Sequence, residues 1–220
     1  MRRVQIDRLN GPLSGKNIPR MHDHPASMTC PLELADSRKV DLSPVHPQDA
    51  TAERAFIGAL SLDSRYRRFH FGLRELSPEQ ARAMTEIDQH HHVAFVALAA
   101  KSEAIAADAR YVIRADSADA EFAIAVADEW QGAGLGRELL VRMSAHARER
   151  GVRRLFGDVL WGNNAMLGLA REFGAVLKRR PGDATVVRVE FGFDTAHEST
   201  PGASDTLCAN ALSSAPAMHS

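Results

Sequence analysis

The stretch Phe122–Leu140, FAIAVADEWQGAGLGRELL, limits what this chain can fold into more than any other part of it. Its first half alternates as a strand and its last part has helical periodicity. Between them stand Gly132, Gly134 and Gly136, three glycines in five positions. A strand that turns through glycines into a helix leaves unpaired backbone N–H groups at the helix N-terminus, where the helix dipole also favours an anion. Glycine removes the Cβ that would hold a phosphate or pyrophosphate away from that backbone.

Two better-known phosphate loops fit poorly. A P-loop places Lys and then Ser or Thr after its last glycine, whereas Gly136 is followed by Arg137 and Glu138. A dinucleotide fingerprint reads G-x-G-x-x-G near the start of a parallel sheet. Here the spacing is G-x-G-x-G, preceded by Gln131, on about the fourth strand of the domain.

The flanking pattern predicts a mixed α/β sheet. Val40–Val45 reads as a short strand, and Asp49 as the cap of a helix with Ala52, Phe56 and Leu60 on its apolar face. Ser77, Pro78 and Gln80 form a capping-box signature. Val93–Ala100 and Ala104–Ala115 read as paired strands, and Glu121–Ala127 as the strand entering the glycines. Leu135, Leu139, Met143 and Ala147 line the following helix, which Gly151 ends. A further strand, a short helix capped by Asn163 and ended by Gly174, and two closing strands complete the order β-α-α-β-β-β-α-β-α-β-β.

The 220 residues are 45% hydrophobic, enough for one good core. A formal net charge of -1 argues against bulk attraction to nucleic acid or to an anionic membrane. The longest apolar run, Val93–Ala100, is too short to span a bilayer, and the basic N-terminus has no apolar block behind it. A soluble, cytoplasmic protein is expected. Cys30 and Cys208 lie near opposite ends, so no disulfide framework is expected. Residues 1–31 read as a poorly ordered leader, 32–194 as the folding unit and 195–220 as a disordered tail.

The spacing Gln131, Gly134, Gly136 resembles the acetyl-coenzyme A pyrophosphate loop of the GNAT acetyltransferases. The segments LSLDSRYRRF, LSPEQARAMTEID, HVAFVAL, AEFAIAVADEWQGAGLGRELL and NAMLGLAREFGA are together similar to the acetyltransferase domain of bacterial Pat-type protein lysine acetyltransferases. The resemblance implies a GNAT fold, a mixed and mostly antiparallel sheet of about six or seven strands flanked by about four helices. It implies acetyl-CoA as co-substrate without a metal, and Val126, Gln131, Gly132, Ala133, Gly134, Gly136, Arg137 and Asn163 as its ligands, mostly through backbone N–H groups. The N–H of Val126 would also hold an oxyanion. Asn163 would contact pantetheine while capping its helix.

The acceptor implied is an amine, most specifically a protein lysine. With a pKa near ~10.4, about one lysine in two thousand is neutral at pH 7, a barrier of roughly 4–5 kcal/mol that a general base lowers. The resemblance gives that role to Glu121. Its apolar sequence neighbours lead one to expect a raised pKa, and Asp158 on the next strand is the reserve. Many GNAT enzymes place a tyrosine where Ala170 stands, as acid for the leaving thiolate. A thiol of pKa about ~8.5 leaves without one.

Three other features read as structural. His90–His92 reads as a solvated turn rather than a metal cluster. Ser64–Phe69 reads as a basic helix face with Tyr66 and Phe69 in the core, and Trp161 as packing at a strand end. The rival functions are a small-molecule amine N-acetyltransferase and a non-catalytic acyl-CoA sensor, in either case a monomer or homodimer.

Overall fold

Short polar side chains set the helix starts. Ser77 Oγ accepts the N–H of Gln80 at 3.2 Å, and Gln80 Oε1 accepts the N–H of Ser77 at 2.8 Å, closing the expected capping box. Asn163 Oδ1 accepts the N–H of Met166 at 3.2 Å. Asp49 departs from expectation. A turn beginning at Pro47 captures it, and its Oδ2 accepts the N–H of His46 at 2.7 Å instead of capping the helix that follows.

The structure, a computed structural model, describes residues 30–193 apart from positions 103, 116 and 181. Most of the expected leader and the whole tail, with Cys208, lie outside the described residues. The strands are β1 (Cys30–Glu33), β2 (Lys39–Pro44), β3 (His92–Ala99), β4 (Ile105–Ile113), β5 (Asp119–Val126), β6 (Arg154–Leu160), β7 (Val176–Arg180) and β8 (Asp183–Gly192). The helices are α1 (Ala50–Ala59), α2 (Leu62–Phe69), α3 (Pro78–Thr85), α4 (Leu135–Glu149) and α5 (Asn164–Glu172). β1 is additional to the elements expected, and α2 contains the basic helix face expected at Ser64–Phe69. Cys30, at the start of β1, is disulfide-bonded, against the expectation from cysteine spacing.

The strands form one sheet in the order β1-β2-β3-β4-β5-β6-β8-β7, antiparallel except between β5 and β6. One face packs Val93, Phe95, Ala107, Ala109 and Phe122 against Leu139, Met143 and Ala147 of α4 and Leu167 of α5. The other packs Ala94, Val96, Ile105 and Ala125 against Phe56, Ile57 and Ala81 of α1 and α3. β3 is buried on both faces, which explains its unbroken apolar run. Among the described residues no helix is long and apolar enough to cross a membrane.

The parallel β5–β6 pairing is short. It runs from Asp119↔Arg154 to Glu121↔Phe156 and stops. Beyond it the strands separate around the Phe122 ring. A Cβ added at Gly157 would lie 2.9 Å from Phe122 Cε1 and 3.1 Å from its carbonyl oxygen. Gly157→Ala is therefore expected to lower stability by roughly 1–3 kcal/mol through overpacking at this seam. Urea unfolding measures it, and an unchanged midpoint would show that the seam yields freely.

Beneath α4, the Tyr111 hydroxyl lies 2.8 Å from His146 Nδ1, and both side chains are buried. Burial, aided by the Arg150 charge, pushes His146 down to about 4, so the ring beside the Tyr111 hydroxyl is neutral near pH 7. An unfolded chain protonates this ring near pH 6.5, whereas the folded one resists until about 4. His146 thus withdraws stability as pH falls through that window, by about 3 kcal/mol once the pH is below the folded value. The check is the stability difference between wild type and His146→Gln across pH 4–7.5. A difference that stays flat with pH contradicts this assignment.

Candidate active site

The separation of β5 from β6 creates the site. Ala107↔Val126 and Ala109↔Ile124 are non-hydrogen-bonded pairs of the β4–β5 ladder, since the flanking Ala127 N–H donates to Ala106 O at 2.9 Å. The N–H and C=O groups of Ile124 and Val126 therefore face away from β4, toward β6, where the pairing has already ended. Central-strand backbone left unpaired in this way must be satisfied by something other than the sheet, as Val126 O is by the Gln131 side chain.

A cavity of about 310 Å³ occupies this gap, a size suited to a small-molecule ligand. Val126, Gln131, Gly132, Gly134, Gly136, Arg137 and Asn163 all line it, so seven of the expected ligands converge. Ala133 does not: its methyl is turned into the core, which leaves it backbone groups alone for a ligand. Gly132 and Gly134 adopt φ of +77° and +89°, the left-handed region that disfavours a side chain. Gly134 caps α4 without a side-chain acceptor, and the Arg137 and Glu138 N–H groups turn back to its carbonyl at 3.0 and 3.1 Å. The N–H groups of Leu135 and Gly136, one step earlier, have no such acceptor and open an anion-binding helix terminus.

Several side chains act differently from the sequence reading. Gln131 Nε2 donates to Val126 O and to Ser64 Oγ, both at 3.1 Å, so its side chain ties the loop to β5 and α2. The same tie continues through Asp128, which accepts from Ser61 N, Ser61 Oγ and Ser64 Oγ at 2.7–2.8 Å. Burial pulls the Asp128 carboxyl upward, but these donors hold it below its ordinary value. Arg137 bonds Glu172 Oε1 at 2.9 Å and lies 5.1 Å from the Phe173 ring centre. Trp130 lines the cavity with the Arg38 guanidinium 4.6 Å above its ring, and Arg38 Nη1 also donates to Glu129 O at 2.7 Å.

Tyr66 is 48% exposed rather than in the core, while Phe69 packs against the α1–α3 side. Trp161 is 60% exposed, so it is not a packing residue at the strand end. The histidine run is a turn built on Asp88, whose Oδ1 accepts the N–H groups of His90, His91 and His92 at 2.9–3.0 Å.

Glu121 lies at the end of the paired part of β5, opposite Phe156. It is exposed, so the apolar enclosure expected of it is absent. It sits outside the cavity lining, on the strand face opposite to Val126. Asp158, the reserve base, is engaged by three guanidinium contacts from Arg180 and Arg188, with Arg188 Nε at 2.6 Å. A carboxylate so committed is poorly placed to receive an amine proton. Ala170 is fully buried in the core, and no tyrosine lines the cavity among the described residues. Arg38 was not anticipated as part of the site, because its contact with Glu129 spans 91 positions, and Ser64 and Arg68, which line the cavity, belong to the stretch read as a basic helix face.

An open seam in a mixed sheet, bordered by a glycine turn at a helix N-terminus, defines an α/β protein with a backbone-lined ligand cavity. The model of the acetyltransferase (GNAT) family matches residues 63–175, and the chain belongs to that family. It is an N-acetyltransferase whose chemistry is acyl transfer, and acetyl-CoA is the donor the family uses. The chain is 33% identical over 156 residues to acetyltransferase PA5475 of Pseudomonas aeruginosa, covering 70% of this chain and 84% of that one. It is 32% identical over 163 residues to acetyltransferase Pat of Mycolicibacterium smegmatis, covering 73% of this chain. Only 47% of that relative is spanned, about half its length. The crystal structure of the GNAT domain of S. lividans PAT superposes with a TM-score of 0.69 at 30% identity. It covers 78% of this chain and 100% of that domain.

Proposed function

We propose that this protein transfers the acetyl group of acetyl-CoA to a protein lysine in the cytoplasm. The observation that carries the donor half is the backbone of Ile124 and Val126, facing a cavity that ends at the left-handed glycine turn. In this reading the backbone N–H groups from Gly132 to Gly136 and the Arg137 guanidinium bind the pyrophosphate. Asn163 and Val126 hold the pantetheine arm, and the Val126 N–H receives charge developing on the thioester oxygen. Glu121, through a water molecule, takes the proton of the acceptor ammonium. The free amine attacks the thioester carbon, the C–N bond forms, the C–S bond breaks, and coenzyme A departs as thiolate. The lysine acceptor rests on the likeness to Pat-type domains.

The test is thiol release by the purified protein from acetyl-CoA, with a panel of lysine-containing proteins and of small amines. Release above background with a protein acceptor, with acetylated lysine found by mass spectrometry, supports the reading. Release with small amines alone moves the enzyme to a small-molecule acceptor. Acetyl-CoA binding without release across both panels favours a sensor.

A further inference from the structure

Arg68 stands out among the cations of the site. It lies in the last turn of α2 and lines the cavity beside Leu60 and Ala125, at the end where the backbone of Ile124 and Val126 is open. Its neighbour Arg67 is paired with Asp63 at 2.6 Å. Arg68 forms no hydrogen bond or ion pair among the described residues, and its Nε is buried without an acceptor. Its one close partner is the adjacent Phe69 ring, 4.9 Å away.

The acids around it do not neutralise it. Asp108 is bound by Arg110, whose Nε donates to Asp108 Oδ1 at 3.0 Å. Glu53 is fully buried, and burial with the neighbouring Asp108 charge makes it hold its proton well above the usual carboxylate range. Asp108 is the acid that Arg68 feels most, Arg110 opposes it, and Glu53 and Glu121 act more weakly; none of these acids is within ion-pair distance of Arg68. Arg68 is half-buried, and a guanidinium whose buried Nε lacks an acceptor carries a free-energy deficit that a ligand oxygen entering the cavity relieves. Its planar fork suits a carboxylate better than a lone carbonyl.

Building on the acyl-CoA reading, we propose that Arg68 is the receptor for a substrate carboxylate at the reacting end of the cavity. The enzyme then prefers a reaction in which that carboxylate lies a few atoms from the new amide bond. Two substrates can supply it: a donor with a dicarboxylic acyl chain such as succinyl-CoA, or an acceptor amine with a carboxylate close by. In either case the C–N bond forms, the C–S bond breaks, the amine proton goes to Glu121 and coenzyme A leaves as thiolate. The carboxylate is unchanged.

Calorimetry on the full chain separates the sources, using wild type, Arg68→Gln and Arg68→Lys. The donor arm compares acetyl-CoA with succinyl-CoA. The acceptor arm titrates coenzyme A-loaded protein with an amino acid and its amide, and with lysine peptides carrying a neighbouring glutamate or glutamine. The expected result is a carboxylate preference of about 10- to 100-fold in one arm, the size of a charge-assisted pair. It should shrink to within about twofold in Arg68→Gln and persist in part in Arg68→Lys. No preference in either arm, or an equal loss for every ligand in Arg68→Gln, overturns the proposal. Failure of the wild type to bind any acyl-CoA would instead overturn the reading beneath it.

Discussion

Glu121→Gln is expected to lower kcat by about 10²- to 10⁴-fold, the usual contribution of a positioned general base. The dissociation constant for acetyl-CoA should stay within about threefold, because the residue lies outside the cavity lining. The substitution keeps size and hydrogen-bonding shape and removes the ability to accept a proton. It falls on an exposed strand position whose backbone pairing with Phe156 does not depend on the side chain. The acceptor ammonium must lose its proton before it can attack, and no other carboxylate near the seam is as uncommitted, since Asp158 is clamped by Arg180 and Arg188. Thiol release at saturating acetyl-CoA measures the effect. A kcat within a few-fold of wild type would remove Glu121 from the mechanism.

Arg110→Met should destabilise the fold by about 3–5 kcal/mol, because it leaves a buried carboxylate without its partner. Asp108 is completely buried and takes two guanidinium donors from Arg110. Arg110 Nη1 also donates to Met84 O at 3.1 Å, and Nη2 reaches Glu53 Oε1 at 3.3 Å, so one side chain joins β4 to α1 and α3. Adding Asp108→Asn to Arg110→Met removes the orphaned charge and should restore most of the loss. Glu53→Gln should change stability by less than about 1 kcal/mol, since burial already keeps Glu53 protonated. Urea unfolding at pH 7 gives all of these values. A single variant as stable as wild type, or a double variant no better than the single, would show that the pair does not hold these elements together.

The parts of the site legible in the sequence are those whose geometry closes within four or five residues. Gly132 and Gly134 announce left-handed backbone, and Ser77 and Asn163 announce caps, because the partner of each is a nearby N–H on the same stretch of chain. The rest depends on register. Glu121 looks apolar in its surroundings because Ala120 and Phe122 flank it, yet on a strand those neighbours point to the opposite face. Ser61 and Asp128 are 67 positions apart, and Arg38 and Glu129 are 91 apart. Nothing in either local stretch marks the contact. Asp49 shows the converse failure, a correct capping residue taken by an earlier turn that Pro47 starts.

The brevity of the β5–β6 pairing bears on self-association. An unpaired strand edge is normally a hazard at the rim of a sheet, where another chain can add itself and begin a fibre. Here a pair of such edges lies in the middle of the sheet, between Leu60 on the α1–α2 side and Met166 of α5, away from the rim where another chain would add itself. The protein thereby keeps open backbone hydrogen-bonding groups in reserve without advertising them to other proteins. What can use them is a slender chain with few substituents, so the shape of the gap screens ligands before any specific contact is made.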